Sequence, residues 1–371
     1  MNILLAPDSF KGTLSATEVC ALLKETILAA SPDANVTSLP IADGGEGTVD
    51  ACLAIFGGER ITVRVKSPLL HEIDADYAVL PDGTAVIETA AASGIAVEQK
   101  NDALRASTFG TGELFLDALD RGCRKILFGL GGSATTDGGA GLLSALGARF
   151  LDKDGNALAP GGGALEDLAQ IDLSGLDRRL SKTRLTVLCD VKNPLFGALG
   201  AAEVFAPQKG ADAAMTAKLD RGLRHLAAVS AQTLGKDVSA EPGAGAAGGL
   251  GFACIAFLGG VLTPGIDCIL DAARFSEKAR TADLVITGEG KMDAQSLMGK
   301  APFGVAKRSG AARVIAIVGL LEANETDLRR AGIAAVYETN PRHLPFETIR
   351  ATARADFLRA AKRMWQAEGD R

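Results

Sequence analysis

The sequence predicts an α/β protein of two domains: one made from both ends of the chain, the other, with a mixed sheet, inserted between them. At 371 residues the chain exceeds the size of an average single domain. Strand–loop–helix units occur twice near the amino terminus and return past Ala282, which is typical of a parallel sheet. Between them, short strands joined by turns indicate an antiparallel meander. We therefore predict domains of 1–65 with 287–371 and of 66–286.

The elements of the first domain follow from apolar runs and the residues beside them. Asn2–Ala6 is a buried-strand run, and Ser15 with Glu18 three residues later is a capping-box signature for a helix through Ala30. A strand at Val36–Pro40 precedes an acidic glycine loop and a helix through Ile55. The predicted carboxyl-terminal elements are strands Asp283–Thr287, Val314–Val318 and Ala334–Glu338 and an amphipathic helix Phe346–Gln366, with Ile349, Ala353, Phe357, Ala361 and Met364 on one face.

The second domain is expected to begin with the meander and to continue with helices, strands and glycine loops. Its predicted elements are strands Arg60–Val65, Ile73–Leu80 and Thr84–Glu88, helix Ser107–Asp120, strand Lys125–Gly129, helix Leu142–Leu146, strand Leu185–Cys189 and helix Asp212–Leu234.

Composition and charge exclude several classes of function. The net charge of −6 leaves no basic surface for nucleic acid. Six scattered cysteines without a CxxC pair argue against a zinc site or a disulfide framework and favour the reducing cytoplasm. The amino terminus begins with a strand rather than a signal peptide, and six glycines interrupt the apolar segment Ala244–Leu262. We therefore expect a cytoplasmic protein that interacts with neither membrane nor nucleic acid.

The run Leu130–Gly141 carries five glycines, three hydroxyls and one carboxylate between a strand and a helix. Glycines let backbone N–H groups approach an anion closely, and the start of a helix favours negative charge there. Asp137 suggests a metal or a proton-transfer role, although a tight turn with Asp137 as a helix cap is an alternative. The predicted anion-binding residues of this run are Gly131, Gly132, Ser133, Thr135 and Thr136.

Charged loops follow several of the predicted strands. Lys11 is suited to binding phosphate as a point charge, and Asp8, beside Ser9, to holding a metal or orienting a hydroxyl. Asp43 lies near the carboxyl end of a strand, where open α/β sheets bind ligands. A solvated turn or a helix cap is the structural alternative in each case. Two later loops add the candidates Asp190, Asn193, Glu289, Lys291, Asp293 and Gln295, with Glu289, Lys291 and Asp293 expected to project from one strand-end loop.

Carboxylates, lysines and glycine loops without histidine or cysteine chemistry favour phosphoryl transfer, which depends mainly on positioning and charge neutralisation. The chain lacks a GxxxxGK[ST] loop, an HRD/DFG set and a GxSxG elbow. These absences exclude a P-loop kinase and argue against a protein kinase and a serine hydrolase, and the loose GxGxxG matches give little support to a dehydrogenase.

Seven segments together resemble the bacterial glycerate kinases of the type I family, in the family's order and over essentially the whole chain. They are APDSFKGTLSA (Ala6–Ala16), ADGGEGT (Ala42–Thr48), GTGEL (Gly110–Leu114), LGGSATTDGGAG (Leu130–Gly141), CDVKNPL (Cys189–Leu195), GAGAAGGLGF (Gly243–Phe252) and TGEGKMDAQS (Thr287–Ser296). The resemblance implies ATP- and Mg²⁺-dependent phosphorylation of D-glycerate to 2-phosphoglycerate in glycerate, glyoxylate or sugar-acid catabolism. It also implies that the first domain is Rossmann-like and that the active site lies in the cleft between the domains.

On this resemblance we assign chemical roles as hypotheses. Asp190 accepts the proton of the glycerate hydroxyl or orients that hydroxyl, and Lys11 neutralises charge on the transferring phosphoryl group. The other roles are Mg²⁺ binding by Asp293, Glu289, Asp43 and Asp137, with Asp293 also counted as catalytic, and substrate or phosphate binding by Asp8, Ser9, Asn193, Gln295 and the Gly131–Thr136 run.

Three alternatives remain open from the sequence. The first is a kinase that forms 3-phosphoglycerate, and the second is a phosphatase or mutase acting on phosphoglycerate. The third is a non-catalytic sensor of sugar acids or phosphate, although its many carboxylates would repel an anion without a metal. A homodimer is compatible with the sequence, which does not determine the oligomeric state.

Overall fold

The computed structural model describes residues 1–293 and 301–369 as an α/β fold. Within these residues the strands are β1 (Asn2–Pro7), β2 (Asn35–Ser38), β3 (Glu59–Lys66), β4 (Glu72–Val79), β5 (Thr84–Glu88), β6 (Lys125–Gly129), β7 (Arg149–Leu151), β8 (Gln170–Asp172), β9 (Arg184–Leu188), β10 (Val261–Thr263), β11 (Leu284–Met292), β12 (Arg313–Leu321) and β13 (Ile333–Glu338). The helices are α1 (Ala16–Ala30), α2 (Thr48–Phe56), α3 (Thr89–Ser93), α4 (Phe109–Asp120), α5 (Ala140–Ala145), α6 (Ala201–Phe205), α7 (Ala213–Leu234), α8 (Ala246–Phe257), α9 (Gly265–Ala272), α10 (Phe275–Ala279), α11 (Ala301–Arg308), α12 (Glu325–Arg330), α13 (Phe346–Arg350) and α14 (Ala353–Glu368). Short 3₁₀ helices occupy Gly162–Asp167, Arg178–Lys182 and Pro207–Lys209.

The chain divides into two compact units. The first contains Met1–Asp43, Asp50–Gly57 and Pro264–Arg371, and the second contains Gly44–Val49 and Gly58–Thr263. The parallel sheet and the mixed sheet that these units contain confirm the predicted α/β class.

The first unit is built on a parallel five-stranded sheet with the order β13-β12-β11-β1-β2. Helices α1 and α14 pack against each other beside this sheet. Phe10 and Phe357 meet edge to face in the core, with ring centroids 5.4 Å apart. The predicted capping box is confirmed, because Ser15 N–H donates to Glu18 Oε2 (2.9 Å) and Glu18 N–H donates to Ser15 Oγ (3.2 Å).

The second unit is built on a mixed six-stranded sheet with the order β10-β9-β6-β5-β4-β3. Strands β3, β4 and β5 are antiparallel, which confirms the predicted meander, and β5, β6, β9 and β10 are parallel. Phe115 of α4 and Phe128 of β6 meet edge to face with centroids 4.9 Å apart. Because β6 and β9 are parallel neighbours, the loops that follow them leave the same edge of the sheet.

The unit boundaries differ from the predicted domain boundaries at 65/66 and 286/287. Strand β3 pairs along its whole length with β4, so hydrogen bonding places it in the second unit. Residues from Pro264 onward belong to the first unit because α9 packs against α11, where Arg308 forms an ion pair with Asp267 (2.7 Å). Both differences arise from partners distant in sequence.

Two predicted elements also have different limits. Strand β11 continues to Met292 because its residues pair with β12, Glu289 opposite Val318 and Lys291 opposite Leu320. Glu289 and Lys291 therefore lie in a strand, not in the expected loop. The predicted helix Phe346–Gln366 is divided into α13 and α14 by a turn at residues 351–352, so Ile349 is not on the same helix as Phe357.

Among the helices of the described residues, none has the length and apolar character needed to cross a membrane. The apolar glycine-rich segment of the second unit forms helix α8, in which Leu250, Phe252 and Cys254 are buried in the core.

Candidate active site

A cavity of about 280 Å³ lies in the first unit, where the loop after β1 meets the end of β11. Its charged groups include Asp8, Lys11, Asp43 and Glu289, and its apolar wall is lined by Phe10, Leu14, Phe346, Ile349, Ala353 and Phe357. The carboxyl ends of parallel strands are the usual ligand sites of open α/β sheets. The cavity therefore unites four of the residues predicted from separate loops.

Electrostatic repulsion is strong in this cavity. Asp8 is almost fully buried, and burial raises its pKa well above the usual value; the charges of Asp43 and Glu289 raise the pKa further, while Lys11 opposes them. Lys11 Nζ lies 3.6 Å from Asp43 Oδ2. Burial lowers the pKa of Lys11, but the charges of Asp43 and Asp8 outweigh burial, and its pKa is raised overall. Lys11 is therefore a cation held among carboxylates.

The backbone holds the β1 loop in place. Asp8 N–H donates to Gly288 O of the neighbouring strand (2.9 Å), and Ser9 N–H donates to Asp8 Oδ1 (2.6 Å). Gly12 has a φ of +76°, and a Cβ there would lie 2.9 Å from Phe346 Cζ. Glycine is needed at this position because a side chain would be strained and would press on the aromatic wall of the cavity.

The carboxylates of this cavity are chemically suited to Mg²⁺. Magnesium prefers oxygen ligands and is usually held by one or two carboxylates together with substrate phosphates and water. The described residues contain no group of three His, Cys, Asp or Glu arranged as a metal cage. A site completed by phosphates does not need such a cage, and a cation would relieve the repulsion that raises the pKa of Asp8. Asp43 and Glu289 therefore fit the expected cofactor.

Asp293 and Lys291 lie near the end of β11. Lys291 Nζ is 2.9 Å from Glu322 Oε2 and 3.8 Å from Asp293 Oδ2. The hydrogen bond with Glu322 is the largest cause of the raised pKa of Lys291. Lys291 also lines the cavity, whereas Asp293 does not. Gln295, another predicted ligand residue, lies outside the described residues.

In the second unit, the glycine run packs tightly against the ADGGEG loop. Gly131 N–H donates to Gly44 O (3.2 Å), and a Cβ on Gly131 would lie 2.5 Å from Gly45 Cα. The backbone of Gly131 is thus used to join two loops. Gly132, by contrast, is exposed, with a φ of +78°. A ligand can therefore approach the run at Gly132.

Thr135 and Thr136 do not face solvent as a phosphate cradle would require. Both residues are fully buried, and within the described part of the chain their hydroxyls have no hydrogen-bond partner. The structure therefore does not support direct phosphate binding by these two side chains.

Asp137 has a different environment from the one expected of a metal ligand. Its Oδ2 accepts hydrogen bonds from Thr108 N–H (2.8 Å), Thr108 Oγ1 (2.9 Å) and Gly141 N–H (3.1 Å), and its Oδ1 accepts from Gly139 N–H (3.1 Å). Burial raises its pKa, although these hydrogen bonds oppose the rise. The carboxylate thus joins the starts of α4 and α5, which supports the helix-cap alternative and does not support the metal role.

Lys209 is a residue of this region that sequence reasoning missed. It lies in a 3₁₀ helix, is 3% exposed, and its Nζ donates to Thr135 O (2.6 Å) and Ser133 Oγ (3.0 Å). Asn101 Nδ2 donates both to Lys209 O (2.8 Å) and to Ala134 O (3.0 Å). Burial lowers the pKa of Lys209 to about 7, although the charge of Asp137 opposes this. Sequence reasoning missed Lys209 because no pattern in the neighbouring residues distinguishes it from a solvent-exposed lysine.

The loop after β9 contains Asp190 and Asn193. Asp190 is exposed, so a ligand can reach it. Asn193 has a role within the protein, because its Nδ2 donates to Leu199 O (2.8 Å) and its O accepts from Gly245 N–H (2.9 Å). Since Leu130 N–H donates to Leu188 O (3.4 Å), this loop and the glycine run begin side by side.

Comparison with known proteins gives the family. The model of the glycerate kinase family matches residues 3–367. The chain is 46% identical over 353 residues to a glycerate kinase of Bacillus subtilis, covering 94% of this chain and 92% of that protein. It is also 46% identical over 342 residues to glycerate 2-kinase of Escherichia coli, covering 91% and 90%.

A solved structure agrees with these relatives. The crystal structure of a provisionally named glycerate kinase 2 from Salmonella typhimurium LT2 matches with a TM-score of 0.84 and 43% identity, covering 99% of this chain and 98% of that one. The chain therefore belongs to the glycerate kinase family.

Proposed function

We propose that this protein transfers the γ-phosphoryl group of ATP to D-glycerate, forming 2-phosphoglycerate and ADP. The observation that carries the proposal is the cavity in which Lys11 lies among Asp8, Asp43 and Glu289. Phosphoryl transfer needs cations near the phosphates and oxygen ligands for a metal, and this cavity offers both. The relatives named glycerate kinase and glycerate 2-kinase support the choice of substrate.

Lys11 has the charge required to stabilise a transferring phosphoryl group. Its raised pKa keeps the ammonium protonated at neutral pH, and its side chain is 54% exposed. Its contact with Asp43 Oδ2 is long, at 3.6 Å, so Lys11 can exchange that contact for a phosphate oxygen.

Asp43 and Glu289 are the residues that would hold Mg²⁺, which when bound neutralises charge on the phosphates. Asp8, which lines the same cavity, orients the acceptor hydroxyl. Asp293, whose carboxylate lies near Lys291, assists the metal site in this proposal, and Gln295 contributes to substrate binding.

Asp190 acts as the base that accepts the hydroxyl proton of glycerate. The exposed carboxylate of Asp190 is free of the burial that constrains Asp137. Gly132, the exposed residue of the glycine run, binds an anionic group of a substrate, and Lys209 stabilises the run through its hydrogen bonds to Ser133 and Thr135.

The decisive test follows ADP release with D-glycerate and ATP, with and without Mg²⁺, and identifies the product by NMR. We expect Mg²⁺-dependent ADP release and 2-phosphoglycerate as the product. ADP release without 2-phosphoglycerate would contradict the regiochemistry. Ligand binding without ADP release would favour the sensor.

The role of Lys11 is tested with a matched pair of variants. Lys11→Met should lower kcat at least 100-fold, a loss of about 3 kcal/mol of transition-state stabilisation. Lys24→Met, which removes an exposed lysine from α1, should retain full activity. Equal turnover of the two variants would show that the cavity takes no part in the reaction.

A further inference from the structure

A second cavity of about 360 Å³ lies in the first unit and has a marked positive charge. It is formed by the loop after β13 and one face of α14. The side chains of Arg342, Arg359, Lys362 and Arg363 line it, against one carboxylate, Asp356. The chain as a whole has a net charge of −6, so this concentration of cations is a local feature.

The spacing of residues on α14 produces the basic wall. Arg359 follows Asp356 by three residues, and Lys362 and Arg363 follow Arg359 by three and four, which places them along one side of the helix. Other residues of α14, including Phe357, are buried in the core of the first unit. Packing of α14 therefore fixes which side presents the cations.

Hydrogen bonds hold the opposite wall in position. Asn340 Nδ2 donates to Leu344 O (3.0 Å), and Asn340 Oδ1 accepts from Leu344 N–H (3.0 Å). These two bonds close the loop that carries Arg342. Arg363 Nη2 donates to Glu338 O (2.8 Å) and ties α14 to the end of β13. The loop that carries Arg342 and the side chain of Arg363 are thus held by hydrogen bonds within the protein.

The positive charge is only partly neutralised. Arg359 forms an ion pair with Asp356. Neither Arg342 nor Lys362 forms an ion pair with any residue that the structure describes. Cations gathered in one concave site repel each other, and an anion with more than one charge would relieve that repulsion. Arginine is especially suited to phosphate, which it binds through two parallel hydrogen bonds.

The second cavity adjoins the candidate active-site cavity. Thr339, Asn340 and Asp356 line both. The basic cavity also lies at the carboxyl end of a parallel strand, the usual ligand position in this type of sheet. Its position beside the phosphoryl-transfer cavity favours a ligand that carries phosphate.

We propose that Arg342, Arg359, Lys362 and Arg363 form a binding site for the phosphate groups of a small polyanionic molecule. Two sources share this chemistry: the phosphate chain of the nucleotide and a separate phosphorylated metabolite. If the ligand is the nucleotide, the proposal rests on the proposed function. If the ligand is a separate phosphorylated metabolite, it does not.

The test uses the double variant Arg342→Gln/Lys362→Gln of the full chain. Its matched control, Arg350→Gln/Arg354→Gln, also removes two exposed cations from α13 and α14 but none that lines either cavity. Pyrophosphate binding is measured by calorimetry at low ionic strength. We expect about tenfold weaker binding in the double variant, unchanged binding in the control, and a difference that shrinks as salt increases.

Kinetics then distinguish the two sources. A similar rise in the KM for ATP would identify the nucleotide, whereas an unchanged KM with weakened pyrophosphate binding would identify a separate phosphorylated ligand. Equal pyrophosphate binding by all three proteins, or binding by none, would overturn the proposal. The calorimetry is repeated with the same substitutions placed in the Lys11→Met protein. Pyrophosphate binding then tests the basic cavity, whereas turnover alone tests the proposed function.

Discussion

Replacement of Lys209 by methionine tests the most unusual electrostatic feature of the second unit. Methionine retains most of the length of lysine but removes the charge and the hydrogen bonds to Thr135 and Ser133. The variant therefore separates the cost of burying a cation from the benefit of packing a long side chain.

The size of the effect follows from the pKa. Burial lowers the pKa of Lys209 from 10.5 to about 7. Each pKa unit corresponds to 1.36 kcal/mol, so the difference amounts to about 5 kcal/mol at most. Between pH 7 and 10.5 the unfolded chain binds more protons than the folded one, so the wild-type protein gains stability as pH rises through this range. Below pH 7 the folded protein bears the whole free-energy cost of burying the charged lysine.

The methionine variant lacks this titration and loses the two hydrogen bonds, a cost of about 1–3 kcal/mol at every pH. We therefore expect Lys209→Met to be more stable than the wild type at pH 6 and less stable at pH 10. Urea unfolding followed by circular dichroism at several pH values measures the difference. Lys236→Met, at an exposed lysine of the same unit, is the control and should show no such crossing.

A stability difference between Lys209→Met and the wild type that stays constant from pH 6 to pH 10 would refute this reasoning. Such a result would mean that Lys209 keeps an ordinary pKa in the folded protein. Its ammonium group would then be hydrated, either by buried water or because the side chain moves to reach solvent.

Three further predictions concern the glycine run and the neighbouring loop. Asp137→Asn should lower the free energy of unfolding by about 2–4 kcal/mol, because the amide cannot accept all four hydrogen bonds. The Mg²⁺ dependence of turnover should not change in this variant. A changed Mg²⁺ dependence would show that Asp137 does bind the metal. Gly131→Ala should destabilise the protein by about 1–3 kcal/mol and lower its melting temperature, because the new Cβ would lie 2.5 Å from Gly45 Cα; an unchanged melting temperature would show that the two loops separate easily. Asp190→Asn should reduce kcat by about 10² to 10⁴ with little loss of stability, and near wild-type turnover would exclude Asp190 as the base.

Features that depend on neighbouring residues were accessible from the sequence. The capping box of Ser15 and Glu18 joins residues three apart, and the meander of β3, β4 and β5 is connected by short turns. Asp8 and Lys11 of the candidate active site were also accessible, because both lie in the loop that follows β1. Such patterns can be recognised in a sequence because the interacting atoms lie within one helical turn or one hairpin.

The sequence by itself determined the family, the α/β class and the set of loops that carry charge. Only the tertiary structure decided that Asp137 joins two helices through Thr108, which is 29 residues away, and that Lys209 is buried against Thr135, which is 74 residues away. It also decided that β11 continues past Thr287, because the strand is extended by pairing with β12. The physical reason is common to all three. Burial and hydrogen bonding across long separations exist only after the chain has folded, so no local pattern of residues can encode them.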